Sequence, residues 1–266
     1  MLQINLKTDI GSAISHLDDL GRRQVPFARS LAINRTAQKV REAEQREITR
    51  VFDRPTRYTL NSVYMRPGTK ASPTAIVWLK DDLRGGAAPS NYLEPQIYGG
   101  KRRHKRFEGA LRSRGLIPDK AFAVPGAGAV LDAYGNMSVG QIKQILSYFS
   151  VAERSSGYNA NSTPQTKAKL KKGSARTGRR GIEYFIALPN APQGSRAFMR
   201  TKHLAPGIYR KTYFGFGSSI QPVIIYVDNA FYKKRWDFFG VAERVIDREF
   251  AQEFASAINY ALATAK

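Results

Sequence analysis

Three histidines, two pairs of adjacent carboxylates and two runs of Lys and Arg are the residues of this sequence with the means to carry chemistry. His16, His104 and His203 are scattered, and none belongs to an H-E-x-x-H pattern, in which a helix presents two imidazoles to zinc. His104 sits among Lys101, Arg102, Arg103, Lys105 and Arg106, which would repel a metal cation. Each histidine reads as a surface or packing residue. The pairs Asp18-Asp19 and Asp81-Asp82 are the material of a divalent-metal site, such as a nuclease would use. Neighbouring residues on a strand point to opposite faces, however, so adjacency does not make them converge. Solvation of helix and strand ends is the plainer reading. The stretch "PGAGAV" is half of a dinucleotide loop without the full G-x-G-x-x-G. No G-x-S-x-G and no G-K-[ST] occurs. There are 0 cysteines, which excludes disulfides and thiolate metal sites. The expectation is a non-enzyme, with no catalytic residues, no metal and no cofactor.

The Lys and Arg runs are the stronger physical signal. One lies in "YGGKRRHKRFEGALRSRG" and contains Lys101, Arg102, Arg103, Lys105 and Arg106, flanked by Tyr98 and Phe107. The other, "TKAKLKKGSARTGRRG", contains Lys167, Lys169, Lys171, Lys172, Arg176, Arg179 and Arg180 and no acid. Lys plus Arg number 43 against 21 Asp plus Glu, a formal net charge of +22. That excess exceeds what solubility needs, and it implies an anionic partner or an assembly that neutralises it. Such clusters neutralise phosphates without reading sequence. Nothing resembles a helix-turn-helix, a zinc finger or an RNP motif. A solvated loop, or pairing with acidic faces of other subunits, accounts for the same residues. The candidate contacts with nucleic acid or a partner are Lys101, Arg102, Arg103, Lys105, Arg106, Lys171, Lys172, Arg176, Arg179 and Arg180.

The elements that must position these residues follow from periodicity. "LQINLK" alternates like a short strand. From Val25 to Phe52 there is no glycine, and Pro26 stands where a helix start tolerates it. Ile33, Ala37, Val40, Ile48 and Val51 share one arc there, opposite Arg35, Gln38, Arg46 and Arg50. "NSVYMRP" and "PTAIVWLKD" read as strands joined by the turn cluster "PGTKAS". Ser138, with Gln141 three residues on, opens a short helix with an apolar face of Ile142, Ile145, Leu146 and Phe149. Residues 152–181 read as a flexible surface arm. "IEYFIAL", "GIYRKTYF" and "PVIIYVD" are strands. A last helix from Trp236 to Thr264 carries the stripe Phe239, Ala242, Ile246, Phe250, Phe254, Ala257 and Ala261, interrupted by Glu243 and Glu253. Phe239, Ile246, Phe250 and Phe254 are therefore expected in the core or a subunit interface. The fold class is α+β, an antiparallel sheet packed with long N-terminal and C-terminal helices and an irregular basic middle. The expected parts are 1–82 (strand, long helix, hairpin), 83–180 (irregular, basic, one short helix) and 181–266 (strands, long helix). No secretory signal and no membrane-spanning segment is expected.

The segment "QVPFARSLAINRTAQKVREAEQREITRVFDRPTRYTLNSVYMRPGTKASPTAIVWLKD" resembles the amino-terminal half of tailed-phage minor tail proteins of the protein Z and tail-completion type. "YLEPQIYGGKRRHKRFEGALRSRGLIP" and "VPGAGAVLDAYGNMSVGQIKQILSYF" are similar to the middle of prophage-encoded relatives. "HLAPGIYRKTYFGFGSSIQPVIIYV" and the last helix resemble the closing strand–strand–helix. The resemblance implies a structural protein of the virion, at the head–tail neck or upper tail, assembled in the host cytoplasm. It implies a homo-oligomeric ring around the DNA channel, with neck, portal-side or tail proteins as neighbours and no membrane partner. In a ring, symmetry multiplies each basic cluster into a positive collar. The rival readings are a non-specific nucleic-acid-binding protein acting alone and a metal-dependent nuclease.

Overall fold

The glycine-free run from Val25, with an i, i+4 column of apolar residues, forms most of the longest helix among the described residues. In the computed structural model, which describes residues 2–4, 19–81, 87–152, 154–155, 158–188 and 201–264, helix α1 spans Asp19–Val51. It begins earlier than the periodicity predicts and runs through Pro26. One proline removes one i→i−4 hydrogen bond and leaves the other turns intact. Ala28, Ala32, Ile33, Ala37, Val40 and Ile48 are all fully buried. His16, Asp18 and Asp82 lie outside the described residues, as do residues 5–6 of the first strand pattern.

Two compact units divide the chain, residues 1–102 with 232–266, and residues 103–231. The first contains β1 (Leu2–Ile4), α1, α2 (Arg57–Leu60), β2 (Val63–Arg66), β3 (Ala75–Leu79), α3 (Ser90–Tyr98), β4 (Gly100–Lys101) and the closing helix α7 (Phe238–Ala263). β3 is the centre of a three-stranded antiparallel sheet, with Leu2 opposite Val77 and Val63 opposite Leu79. All five residues of β3 are buried, as a central strand covered on both faces requires. α1 and α7 pack along one another, and the small residues Ala28, Ala32, Ala257 and Ala261 form one buried cluster between them. Phe238 is fully buried and edge-on to Trp78 (5.4 Å between ring centroids) and Trp236 (5.3 Å). The Trp236 indole N–H donates to Glu44 Oε2 at 2.7 Å, and the whole of Glu44 is buried.

The second unit contains α4 (Arg106–Arg112), β5 (Phe122–Pro125), α5 (Val139–Tyr148), β6 (Arg154–Ser155), β7 (Tyr158–Asn159), α6 (Pro164–Lys172), a 3-10 turn (Ala175–Thr177), β8 (Ile182–Ala187), β9 (Gly207–Phe214) and β10 (Gly217–Val227). Its main sheet is antiparallel in the order β5-β10-β9-β8. Leu111, Ala123, Ile145, Tyr184, Ile208, Val223 and Ile224 belong to its core. Ser138 caps α5 as its sequence predicts, accepting the Gln141 N–H at 3.2 Å. The reciprocal half of a capping box is not made, because Gln141 Oε1 accepts from Val130 N–H at 2.7 Å. The remaining strand, β11 (Phe231–Tyr232), pairs with β4 where the chain leaves and re-enters the first unit.

The α+β class with long terminal helices is what the structure has. Three finer expectations are corrected. There are two main sheets, so residues 181–266 do not stay together: the strands Ile182–Val227 join residues 103–180, and residues 232–266 join the N-terminal part. Residues 83–180 are not an irregular middle, because β5 pairs with β10 in register from Phe122–Val227 to Pro125–Ile224. The polar arm 152–181 contains α6, whose N-cap Thr163 accepts the Thr166 N–H at 3.2 Å with Pro164 at the first position.

Candidate nucleic-acid interface

The two basic runs meet different fates. In the first, the unit boundary falls between Arg102 and Arg103, so the run is not one patch on one body. Lys101 is an exposed residue of β4, whereas Arg102 is 7 % exposed and cannot act as the outward contact the sequence promised. Arg103, Lys105 and Arg106 are exposed at the start of α4. The lone acid of the run, Glu108, is fully buried. Its carboxylate accepts the Lys105 N–H at 2.6 Å, capping α4, and the Ala123 N–H at 2.8 Å, tying α4 to β5. His104 stacks on Phe122 at 4.3 Å between centroids, and Arg112 donates to the Ala121 carbonyl at 3.1 Å. Much of this run is therefore architecture. Its signal was available in sequence as a single Glu three residues after the start of a helix.

The second run keeps its cations outside. α6 lies beside β8, and its lysines divide by helical angle. Lys167 and Lys171, one turn apart, lie on the side toward α5 and β8, although Lys171 stays exposed: Lys167 Nζ lies 5.1 Å from the Tyr148 ring centroid, and Lys171 Nζ lies 3.3 Å from Glu183. The carboxylate beside it holds the Lys171 ammonium above its ordinary pKa. Glu183 also accepts from Tyr213 Oη at 2.5 Å, and that hydrogen bond, with Lys171, holds it below the usual carboxylate range. Lys169 and Lys172, at i and i+3, share the opposite face and are exposed.

Beyond α6 the backbone doubles back. Ser174 and Arg179 exchange both main-chain hydrogen bonds, at 2.8 and 3.1 Å, and the Tyr213 N–H donates to the Gly181 carbonyl at 2.8 Å. The crossing is so close that a Cβ on Gly181 would lie 1.9 Å from the Lys171 carbonyl oxygen. Gly173 adopts φ +71°, which a side chain would strain. Arg176, Arg179 and Arg180 are exposed on this turn, with the Arg180 guanidinium 4.6 Å from the Phe214 ring centroid. Phe214 opens the tip of the β9–β10 hairpin, where it pairs with Gly217 across Gly215 and Phe216. Phe216 is completely exposed, and Phe214 and Ile220 are exposed beside it.

No family model, no curated protein and no solved structure matches this chain. Of the sequence candidates, the structure gathers Lys171, Lys172, Arg176, Arg179 and Arg180 into one ordered segment, although Lys171 is turned to Glu183. It separates Lys101 and Arg102 from Arg103, Lys105 and Arg106. Phe239, Ile246 and Phe250 pack partly buried against the first unit's core, and Phe254 against the alanine cluster. The fully buried residue of that helix start is Phe238. Phe216 escaped the sequence reading, although an aromatic between two glycines at a strand–strand turn has no core within reach. Among the described residues no group of three or more His, Asp or Glu is placed to hold a metal ion, and no helix is long and apolar enough to cross a membrane.

Proposed function

We propose that this chain is a non-enzymatic structural subunit of a tailed-phage virion, at the head–tail neck or upper tail, where copies form a ring around the DNA channel. The observation that carries the reading is the ordered cationic segment Pro164–Arg180. Lys169, Lys172, Arg176 and Arg179 point to solvent from a helix and turn that are capped, hydrogen-bonded and closed by glycine contacts. Charge held on rigid backbone, rather than on a solvated tail, is what a subunit facing a polyanion needs, and a ring repeats it around the channel. The segment resemblances supply the location, and the neighbours are neck, portal-side or tail proteins.

The test is a phage deleted for this chain and complemented in trans. Loss of joined head–tail particles without the chain, and its presence at the junction of complemented particles, are the expected results. A chain that never enters particles, yet binds duplex DNA tightly as a monomer, would transfer the reading to a stand-alone nucleic-acid binder. Magnesium- or manganese-dependent plasmid cleavage that disappears in Asp81→Ala would make it a nuclease.

A further inference from the structure

The second unit carries a feature that charge alone does not explain. A long hairpin begins in the core, with Ile208 and Val223 fully buried, and ends at a wholly exposed Phe216. No Asp or Glu occurs from residue 164 to 181, nor from 201 to 222. The carboxylate near these segments, Glu183, is engaged by Tyr213 and Lys171. The hairpin and the basic segment are one construction: Gly181 bonds to Tyr213, and Arg180 lies over Phe214.

We infer that this face is a duplex-DNA contact, in which Lys169, Lys172 and Arg176 neutralise backbone phosphates and Phe216 presses against or between bases. It rests on the reading above for the presence of duplex DNA at the site. Three chemical features select this partner. A second copy of the same face repels it, since both are cationic without compensating acid. The distal strands carry Thr212, Ser218, Ser219 and Gln221, hydroxyls and an amide of the kind that bond phosphate and sugar oxygens. At the tip Phe216 is wholly exposed while the Arg180 guanidinium lies over Phe214, and so small an aromatic surface ringed by cations suits stacking on or wedging into bases, whereas inserting into a bilayer takes a broad apolar face.

The experiment is fluorescence anisotropy of the full chain with a labelled duplex of random sequence, titrated with salt. Lys169→Glu/Lys172→Glu/Arg176→Glu should weaken binding about tenfold or more at low salt and make the log–log salt slope shallower by roughly two to three, since each phosphate contact contributes about 0.9. Phe216→Ala should weaken binding about fivefold or more with the slope unchanged, because stacking releases no counterions. Circular dichroism checks that both variants fold. Wild-type chain that binds no duplex at low salt, variants that bind as wild type, or tighter binding to phosphatidylserine vesicles than to duplex would each overturn the inference. The virion reading fails differently, by absence of the chain from particles, so one can fall while the other stands.

Discussion

Helix pair α1–α7 and the α6–hairpin face are both rich in cations, and they use them in opposite ways. On the helix pair, acids are at hand. Lys39 Nζ lies 2.6 Å from both Glu249 and Glu253, Arg35 reaches Glu253 at 3.8 Å, and Arg50 bonds Glu47. Hydrogen bonds that the ammonium donates to Glu249 and Glu253 hold Lys39 above its ordinary pKa. On the α6–hairpin face, among the described residues, one acid, Glu183, serves Lys171, and the other cations of α6 and its turn are exposed or lie over aromatic rings. The chain thus balances charge where helices pack and leaves it unbalanced on one built surface. The high net charge is then distributed unevenly over the molecule, with the larger excess in residues 103–231.

If that contrast is right, the packed side should be sensitive to lost volume. Phe238→Ala is expected to cost about 3–5 kcal/mol, the usual range for truncating a buried phenylalanine. Phe250→Ala should cost less, since its ring is only partly buried and stacks on Phe254 at 5.9 Å. Denaturant unfolding of the two variants checks the order, and equal losses would contradict the packing described.

Glu44 gives the packed side a pH dependence. Burial, offset in part by the Trp236 N–H and increased by Glu47 and Asp237, raises its pKa to about 8. Arg244 acts to lower it. The native state therefore holds this proton from about pH 4.5 to about 8 while the unfolded chain has released it. Over that window the native state binds more protons, so its contribution to stability falls as pH rises, by up to about 1.4 kcal/mol per pH unit, and is flat above it. Glu44→Gln should remove this slope while keeping an oxygen for Trp236. Melting curves from pH 5 to pH 8 read the difference between variant and wild type, and parallel curves would show Glu44 ionised in the fold.

Gly181→Ala strikes the construction of the basic face itself. With the new Cβ 1.9 Å from the Lys171 carbonyl, backbone must move, at an expected cost of about 1–3 kcal/mol for overpacking. The same change should weaken duplex binding, because it displaces the end of α6 that carries Lys172.

Much of the packed side was legible in sequence. Ile33, Ala37, Val40 and Ile48 fall on one arc at 3.6 residues per turn, and all four are buried. β3 is an uninterrupted apolar run and is central. For α7 the period gave the right side of the helix and three of its fully buried positions, but missed one buried flank. The sequence stripe contains Ala242, Ala257 and Ala261, which are fully buried, and Phe239, Ile246, Phe250 and Phe254, which are partly buried, while the buried Phe238, Val241 and Val245 lie on a flank outside it. The helix packs both on α1 and on the aromatic cluster at Trp78, and a single periodicity cannot say which flank sinks further. Glu44 was illegible because its partner, Trp236, is distant in sequence, and Glu108 was legible as a local cap but not as the tie to the Ala123 N–H on β5. The basic runs were legible as charge and not as geometry. Arg102 and Lys172 look alike in sequence, yet one is buried and the other exposed.

That last pair yields the smallest expected effect and the sharpest comparison. Lys169→Glu/Lys172→Glu reverses charge on a face where, among the described residues, the acid Glu183 is already engaged by Lys171 and Tyr213. Exposed substitutions of this kind usually change stability by only about ±0.5 kcal/mol each, and here relief of like-charge repulsion with Arg176 and Arg179 acts in the stabilising direction. The melting temperature should stay within about 2–4 °C of wild type or rise, while duplex binding falls. Arg102→Glu should do the reverse, because it buries a carboxylate in a place built around a guanidinium, and a buried charge without suitable pairing is costly. It should lower the melting temperature before any DNA is added. If Arg102→Glu were silent and the lysine pair destabilising, the assignment of structural and contact roles to the two basic runs would have to be exchanged.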